Sequence, residues 1–395
     1  MISRAYARVR YYHKLFDSAG IAPRNVNGIE DLDGLPITER QTVQGSSLQE
    51  VTASDANLKK CIRRCTSGSI GRPLTMYRNR SEDCLIDMTW AFAFLENGQR
   101  LLDKCADFHS NPNKYMYTRW CERIGIWRRA TISALAEPSE QISLLRRVRP
   151  DVIRGNPDDL RKVVSTIQRK EIHDINPRLV FTMGAFLDNQ FRLLIKSVLG
   201  ADVFDYYGSA ELGCIAWECS MHEGYHINSD SVLLEVVNSK GQRVRPGESG
   251  RLVCTGLIAH TMPFIRYDTG DVGALEQGRC RCGRTLPLLR HFQGRAYDFF
   301  VLHDGSEVAP FVISSQIKNI HGIQQYRVIQ ENVTQIDVEI VPDKEWTPRT
   351  AETVQALLKQ ITHGEAVIKV NLCESIHRDA SGKIQSVVSK VRHPV

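Results

Sequence analysis

Helical and strand patterns alternate in the middle of this chain, between residues 140 and 206. Apolar residues at helical spacing predict three helices, over Glu140–Val148, Asp158–Gln168 and Asn189–Val198. Short apolar runs between and after them predict three strands, over Asp151–Arg154, Arg178–Met183 and Val203–Tyr206. Strands that alternate with helices in this way form βαβ units. This part of the chain is therefore expected to be an α/β sheet with helices packed on it.

The flanking regions predict further elements. Residues 3–20 have the pattern of a first helix, and a second helix is predicted over Asp83–Leu95. From Gly224 the segments become short and β-like, which favours a β subdomain at about residues 224–294. Strand patterns and one helix over residues 350–362 predict a compact α+β unit at the end. We expect an α/β fold: a large N-terminal domain, residues 1–296, and a small mobile α+β domain, residues 297–395.

The composition limits the class of protein. Its 395 residues suffice for two or three domains, and 42% hydrophobic and 24% charged residues are typical of globular proteins. A net charge of +6 without a basic cluster does not indicate nucleic acid as a partner. No apolar run approaches the roughly 18 residues of a membrane span, and no secretory signal is recognised. Eleven cysteines in such a chain favour the reducing cytoplasm.

A loop rich in glycine and hydroxyl residues, Thr66 to Pro73, follows the strand predicted at Ile62–Cys65. Glycines let the backbone approach a phosphate closely, and hydroxyl groups beside free amides can donate to it. The candidate phosphate-binding residues are Thr66, Ser67, Gly68, Ser69 and Gly71. Arg72 and Pro73 follow the last glycine, so the loop is not a Walker A motif. By itself such a loop is more typical of a plain surface turn.

A second candidate site lies at the end of the last predicted strand, where open α/β sheets bind ligands. The candidate residues there are Tyr206, Tyr207, Gly208, Ser209 and Glu211. An aromatic ring can stack on a purine, and a carboxylate can hold the Mg²⁺ that accompanies nucleotide phosphates. A tight turn with an exposed acid is the alternative interpretation.

Three further positions could complete a nucleotide site. Asp271, in Tyr267-Asp268-Thr269-Gly270-Asp271, could accept hydrogen bonds from both ribose hydroxyls. Arg295 and Lys383 could each bring a positive charge to a phosphate. Taken singly, each is also typical of a solvated turn or surface.

Taken in order, these clusters resemble the adenylate-forming enzymes, which include acyl-CoA synthetases and peptide-synthetase adenylation domains. Thr66 to Pro73 resembles the phosphate loop of that family, Tyr207 to Glu211 its aromatic-Gly-x-x-Glu motif, and Tyr267 to Asp271 its Tyr-x-Thr-Gly-Asp motif. Gly294 to Asp298 resembles its hinge and Lys383 its C-terminal lysine. By this resemblance Glu211, Arg295 and Lys383 are catalytic, with Glu211 holding Mg²⁺, while Asp271 binds the ribose.

Other segments are similar to the phenylacetate-CoA ligase branch, which includes the CapK-like proteins. They are Tyr11 to Phe16, Ala19 to Ile21, Leu32 to Arg40, Arg149 to Pro157 and Cys280 to Arg284. The resemblance implies an enzyme that activates a carboxylic acid with ATP, releases pyrophosphate, and passes the acyl group to a thiol. That thiol belongs to CoA or to the phosphopantetheine of an acyl or peptidyl carrier protein. An aryl acid is the expectation by analogy. The sequence leaves the oligomeric state open between a monomer and a homodimer.

Two other functions remain open. Some members of this branch resemble adenylyltransferases, in which AMP stays on the product. A non-catalytic nucleotide-binding protein is the other alternative, because the chain departs from the family pattern at Ile70, Arg72, Ala210 and Tyr297. One lost hydrogen bond to a charged group is worth about 1.5 to 3 kcal/mol, which would slow catalysis without abolishing it.

The sequence also predicts a structural zinc site. Cys219, His222, Cys280 and Cys282 supply three thiols and an imidazole, the ligand set of a closed tetrahedral site. His226 is an alternative to His222, and Cys214 and Cys254 are further candidates. Buried reduced thiols are the alternative interpretation.

Overall fold

The computed structural model describes most of the chain. The described residues are 1–26, 28–66, 73–109, 125–185, 187–238, 240–295, 300–308, 310–317, 320–376 and 386–391. Within them, no helix is both long and apolar enough to cross a membrane.

The described residues form ten α-helices and nineteen strands, with short 3₁₀ turns between them. The helices are α1 (Ile2–Arg8), α2 (Arg10–Ser18), α3 (Arg40–Gly45), α4 (Leu48–Val51), α5 (Arg80–Glu96), α6 (Pro138–Val148), α7 (Pro157–Arg169), α8 (Asn189–Leu199), α9 (Pro310–Ile317) and α10 (Pro348–Ile361). The first ten strands are β1 (Ile62–Cys65), β2 (Thr75–Arg78), β3 (Cys105–His109), β4 (Arg129–Ser133), β5 (Val152–Gly155), β6 (Leu179–Met183), β7 (Asp202–Ser209), β8 (Gly213–Glu218), β9 (Tyr225–Ile227) and β10 (Val232–Val237). The others are β11 (Ser249–Gly256), β12 (Tyr267–Glu276), β13 (Leu288–Arg295), β14 (Phe300–Val301), β15 (Glu307–Val308), β16 (Ile323–Asn332), β17 (Gln335–Pro342), β18 (Val367–Leu372) and β19 (Val387–Ser389).

One eleven-stranded sheet organises the larger part of the chain, in the order β10-β11-β12-β13-β9-β8-β7-β6-β5-β3-β4. Strands β4, β3, β5, β6 and β7 are parallel. From β7 onward each neighbour is antiparallel. The predicted α/β class is confirmed. The β segments after Gly224 do not form a sheet of their own, because β9 to β13 continue the central sheet.

Helices α6, α7 and α8 cover the parallel half, as their apolar spacing predicts. Their inward residues include Leu145, Val163 and Phe191, which join a core with Ile153 and Val180 of the strands. Helix α8 shows how local signals set the bounds of these helices. The Asp188 carboxylate accepts a hydrogen bond from the Phe191 amide at 2.8 Å, and the helix ends at Gly200, whose φ of 68° favours glycine.

The first helical region is two helices rather than one. Val9 is extended, with φ −115° and ψ 110°, and separates α1 from α2. Val9 and Phe16 are both buried in the same cluster, so the break turns apolar residues of both helices inward. The Tyr12 hydroxyl lies in this core, donates to the Pro263 carbonyl and accepts from the Ile265 amide. The N-terminal helices are thereby fixed against the segment that precedes β12.

An arginine in the interior ties the next segment to the sheet. Arg266 is 1% exposed, and its guanidinium lies 3.2 Å from a carboxylate oxygen of Glu235, which is 2% exposed. It also donates to the carbonyls of Asp33, Leu35 and Gly241. Beside it, Thr38 pairs in parallel with Tyr267. A buried charge is tolerated only when it is paired and hydrogen-bonded, and these contacts satisfy that condition.

A second sheet lies near the C-terminus, with the order β18-β17-β16-β19. Helices α9 and α10 pack on it through Ile313, Ile317, Val354 and Leu358. This is the expected compact α+β unit. The limits of the two domains, at residues 296 and 297, remain a prediction.

Arg266→Met tests the contribution of this interior arginine. Removing one partner of a buried ion pair should lower the free energy of unfolding by about 3 kcal/mol, because Glu235 and three carbonyls lose a donor. Denaturation with guanidinium chloride measures the free energy of unfolding of the variant and of the wild type. Arg146→Met is the matched control, since Arg146 pairs with Asp174 at the surface and should change stability by less than about 1 kcal/mol. Equal effects of the two substitutions would contradict the assigned role of Arg266.

Candidate functional site

The turn between β7 and β8 carries a buried carboxylate, that of Glu211. This residue is 4% exposed, and its Oε1 accepts hydrogen bonds from the Arg40 guanidinium at 2.7 Å and the Tyr267 hydroxyl at 3.0 Å. Arg78 donates to the carbonyls of Ala210 and Glu211. The carboxylate is therefore held by α3 and β12, and the backbone of its turn by β2, at the switch from parallel to antiparallel strands.

Thr66, the first residue of the predicted phosphate loop, lies beside this carboxylate. Its hydroxyl accepts from Arg40 at 2.7 Å and from the Leu74 amide at 2.9 Å. The β1–β2 hairpin thus places the start of the loop against the β7–β8 turn. Ser67, Gly68, Ser69 and Gly71, with Ile70 and Arg72, lie outside the described residues.

Two predicted nucleotide-binding residues contact each other directly. The Tyr207 hydroxyl donates to Oδ2 of Asp271 at 2.7 Å, and its ring centroid is 4.5 Å from that of Phe292. Burial, together with the nearby Asp271 carboxylate, raises the pKa of Tyr207, so its hydroxyl stays a donor. Asp271 also pairs in register with Arg295 across β12 and β13. The two strands therefore bring Asp271 and Arg295, the predicted ribose-binding acid and an arginine of the predicted hinge, to neighbouring positions.

Tyr206 lies behind the site rather than in it. It is 2% exposed, and its ring packs at 5.1 Å from Phe94 and 5.2 Å from Phe181. Its hydroxyl accepts from Asn97 at 2.8 Å. Alternate residues of a strand point to opposite faces, so Tyr207 faces Asp271 while Tyr206 faces the core. Tyr206, a candidate nucleotide-binding residue from the sequence, therefore packs in the core with Phe181 instead of lining the site.

Gly208 and Ser209 shape the turn itself. A Cβ atom at Gly208 would lie 2.6 Å from the Trp90 ring, so a side chain here would clash. The Ser209 hydroxyl accepts from the Leu212 amide at 3.2 Å. The lack of space at Gly208 and the hydrogen bond of Ser209 both favour a tight turn that holds Glu211 in place.

Two buried acids, Asp205 and Glu218, lie on β7 and β8, the strands that the turn joins. Asp205 is 4% exposed, and its carboxylate accepts from the hydroxyls of Thr182 and Tyr225. Burial and the neighbouring Glu218 carboxylate raise the pKa of Asp205 to about 7. Nη2 of Arg192 donates to both carboxylate oxygens of Glu218, at 2.8 and 2.9 Å. These polar groups compensate one another where β7 and β8 pair.

A thiol and imidazole cluster lies on the antiparallel half of the sheet. The ligand atoms of Cys219, His226, Cys280 and Cys282 all lie within 4.8 Å of one another. The Cys219 and Cys280 sulfurs are 3.6 Å apart, and the Cys282 sulfur is 3.3 Å from Nε2 of His226. Adjacent strands β8, β9 and β13 create the cluster, because Cys219 follows β8, His226 lies on β9 and the other two precede β13.

The histidine of this cluster is His226 and not His222. The Nδ1 of His222 lies 3.5 Å from Glu218 and 3.2 Å from Arg192, on the side of the buried acidic pair. His226 is fully buried, and burial with the nearby Arg284 charge lowers its pKa, which favours the neutral imidazole that binds metals. Cys214 and Cys254 are not part of the cluster among the described residues.

Arg40 and Arg78 were not among the predicted site residues. A single arginine in a sequence gives no signal of its own, because arginine is usually a surface residue. The available signal for Arg40 was its place at the end of the Leu32 to Arg40 segment. Lys383 lies outside the described residues, and of Arg295 only the backbone is described.

Part of this chain matches a protein-family model, and nearly all of it is similar to known proteins. Residues 300–390 match the model of the CapK C-terminal domain. The phenylacetate-coenzyme A ligase of Thermus thermophilus is 24% identical over 98% of this chain and 82% of its own length. That of Aromatoleum evansii is 26% identical, over 98% of this chain and 92% of its own.

Solved structures of CoA ligases share the fold. A 2-hydroxyisobutyryl-CoA ligase in its postadenylation state, in complex with an acyl-AMP, superposes with a TM-score of 0.81, at 18% identity over 98% of this chain and 87% of that one. An anthranilate CoA ligase in complex with anthranoyl-AMP gives a TM-score of 0.64, at 16% identity over 84% of this chain and 67% of that one. The resemblance inferred from the ordered motifs is therefore confirmed: this chain has the fold of the adenylate-forming CoA ligases, is similar in sequence to the phenylacetate-CoA ligases, and matches the CapK C-terminal model over residues 300–390.

Proposed function

We propose that this protein is an AMP-forming acid–thiol ligase. A carboxylate oxygen attacks the α-phosphorus of ATP, the bond to pyrophosphate breaks, and an acyl-adenylate forms. A thiol sulfur then attacks the acyl carbon, and AMP leaves. The observation that carries the proposal is the meeting of Thr66, Glu211 and the Tyr207–Asp271 pair around one turn, in a chain similar to phenylacetate-CoA ligases over 98% of its length.

The first step brings two anions together, so the site must bind the transition state better than the separate substrates. Asp271 would accept hydrogen bonds from the ribose hydroxyls, with Tyr207 fixing the orientation of its carboxylate. Arg295 would contact the nucleotide from the neighbouring strand. Lys383 would stabilise the charge that develops as the acid attacks.

Magnesium fits the donors present. Glu211 offers a carboxylate and Thr66 a hydroxyl, which are the hard oxygen ligands that Mg²⁺ prefers. Bound there, the ion would neutralise charge on the phosphates of ATP. The chain's own contribution is to hold the Glu211 carboxylate in place through the β7–β8 turn.

The second step needs a thiol. Similarity to CoA ligases favours CoA, and a phosphopantetheine carried by an acyl or peptidyl carrier protein has the same reacting group. The C-terminal domain would rotate about residues 295–298, withdraw Lys383 and open a path for the thiol. Among acids, the relatives favour an aromatic carboxylic acid, because their names include phenylacetate and anthranilate.

A structural zinc ion is a further part of the proposal. A tetrahedral ion bound at about 2.3 Å by sulfur and about 2.0 Å by nitrogen requires ligand atoms within about 4 Å of one another. Two of the separations, 3.6 and 3.3 Å, meet this distance, and all four ligand atoms lie within 4.8 Å of one another, so the arrangement is close to that geometry. Four protein ligands leave no open position, so the ion would be structural. A reducing cytoplasm would keep the three thiols available for it.

Acid-dependent exchange of pyrophosphate into ATP tests the first step. We expect exchange with at least one acid of a mixed aliphatic and aryl panel, and Lys383→Ala to lower it about 100-fold or more, because a transition-state contact is lost. Lys390→Ala is the control, since Lys390 pairs with Glu331 at the surface. Folded protein without exchange would point to the non-catalytic alternative. A product that keeps AMP after thiol addition would point to the adenylyltransferase.

Asp271→Asn tests ribose binding. The wild-type protein should bind ATP more tightly than 2′-deoxy-ATP, and the variant should bind ATP about 10- to 100-fold more weakly while losing this preference. Isothermal titration calorimetry gives the dissociation constants. Asp174→Asn, at an exposed ion pair, is the matched control. A variant that keeps the wild-type preference would contradict the assignment.

Metal analysis tests the zinc site. Purified protein should contain about one equivalent of zinc, and Cys280→Ser should lower both the zinc content and the melting temperature. Cys84→Ser, at an exposed thiol, should change neither. Less than about a tenth of an equivalent in the wild-type protein would exclude a closed site of this type.

A further inference from the structure

Arg40 is the cation that bridges the two halves of the candidate phosphate site. Its guanidinium donates through Nη1 to the Glu211 carboxylate and through Nη2 to the Thr66 hydroxyl, each at 2.7 Å. Thr66 begins the predicted phosphate loop, and Glu211 is the predicted magnesium ligand. One flat guanidinium therefore lies between the two groups that ATP phosphates and their metal must reach.

The position of Arg40 is set by backbone contacts. Two residues earlier, Thr38 is fully buried and pairs with Tyr267, with its amide donating to the Arg266 carbonyl at 2.8 Å. Arg40 then opens α3. The strand that supplies Asp271 also begins at Tyr267, so the guanidinium and the proposed ribose ligand are fixed to the same element, β12.

Two other arginines in the described part of this site are committed to structural contacts. Arg64 binds the buried Asp83 carboxylate at 2.9 and 2.6 Å. Arg78 is 4% exposed and donates to the carbonyls of the β7–β8 turn. The side chain of Arg40 is 31% exposed, and its contacts are the Glu211 carboxylate and the hydroxyls of Thr66 and Tyr267. Arg40 can therefore reorient without breaking the fold of the turn.

The chemistry of the ligand requires such a cation. The β- and γ-phosphates of ATP carry most of its charge and leave together as pyrophosphate. An arginine presents paired N–H donors that match phosphate oxygens, and its charge is permanent. Magnesium and the guanidinium also compete for the Glu211 carboxylate, since both are attracted to its negative charge.

We propose that Arg40 is a pyrophosphate-binding residue that exchanges partners during the reaction. In the free protein it neutralises Glu211. When ATP binds with magnesium, it moves to the β- and γ-phosphates and releases Glu211 to the metal, and pyrophosphate departure restores the original pair. This role rests on the proposed adenylation. It means that a residue of the N-terminal segment stabilises the negative charge of the leaving pyrophosphate.

Binding measurements on the full chain test the proposal without turnover. Arg40→Gln should weaken the binding of Mg·ATP and of magnesium pyrophosphate about 10- to 100-fold, the expected loss of hydrogen bonds to a charged group. AMP lacks the β- and γ-phosphates, so its dissociation constant should change less than about threefold. Arg40→Lys keeps the charge and should lose less affinity for pyrophosphate than Arg40→Gln. Arg146→Ala, at an exposed ion pair, should leave the affinity for all three ligands unchanged.

Two outcomes would overturn the role of Arg40. One is an equal loss of ATP, pyrophosphate and AMP affinity, which would indicate a structural role. The other is unchanged affinity for pyrophosphate in folded Arg40→Gln, with the melting temperature as the check. If Arg40→Gln does not fold, Arg40→Lys decides: pyrophosphate affinity should fall while AMP affinity holds, and a parallel fall of both overturns the proposal. Wild-type protein that lacks acid-dependent exchange but shows the ATP-to-AMP difference would refute the adenylation and leave the role of Arg40 standing.

Discussion

A carboxylate taken out of water needs partners, and the partners of Glu211 come from distant parts of the chain. The carboxylate accepts from Arg40 of the N-terminal segment and from Tyr267 of β12, and Arg78 of the β1–β2 hairpin donates to the backbone carbonyl of the same residue. An unpaired buried charge costs several kcal/mol, so these elements cannot separate from the β7–β8 turn without that cost. The interior ion pair of Arg266 and Glu235 adds a second tie between the same N-terminal segment and the sheet. Charge compensation thus assembles the site and part of the fold together.

Much of the fold follows from apolar spacing. The helices and strands between α6 and β7 lie within a few residues of their predicted bounds, since long amphipathic helices and buried runs give strong patterns. Strands β3 and β4 were not predicted. Strand β3 contains Asp107, a charged residue inside a short run. Its carboxylate is compensated by Arg154 at 2.8 Å and Arg129 at 3.8 Å, from neighbouring strands. Only the folded sheet brings that compensation, so no local pattern reveals it.

Some residues of the candidate site could be predicted from the sequence, and others could not. The order of the motifs predicted Glu211, Tyr207 and Asp271 as site residues. In the fold, Glu211 lies in the β7–β8 turn, and Tyr207 at the end of β7 is hydrogen-bonded to Asp271. Arg40 depends on the pairing of Thr38 with Tyr267, which are more than 200 residues apart in sequence, and a contact of that range has no local signature. The choice between His222 and His226 depends on the register of β8 and β9, where Trp217 pairs with His226. Both histidines are close in sequence to Cys219, so spacing alone left the choice open.

The thiol and imidazole cluster has a mechanical consequence. Cys219 and Cys280 are 61 positions apart, and the chain between them contains β9 to β12, including Tyr267 to Asp271. An ion bound by both ends would close this segment into a loop, as a disulfide does, and would restrict the unfolded chain more strongly the longer the loop. Thiolates bound to a metal form such a cross-link without being oxidised. The strands that carry Tyr267 to Asp271 would then be cross-linked at their base.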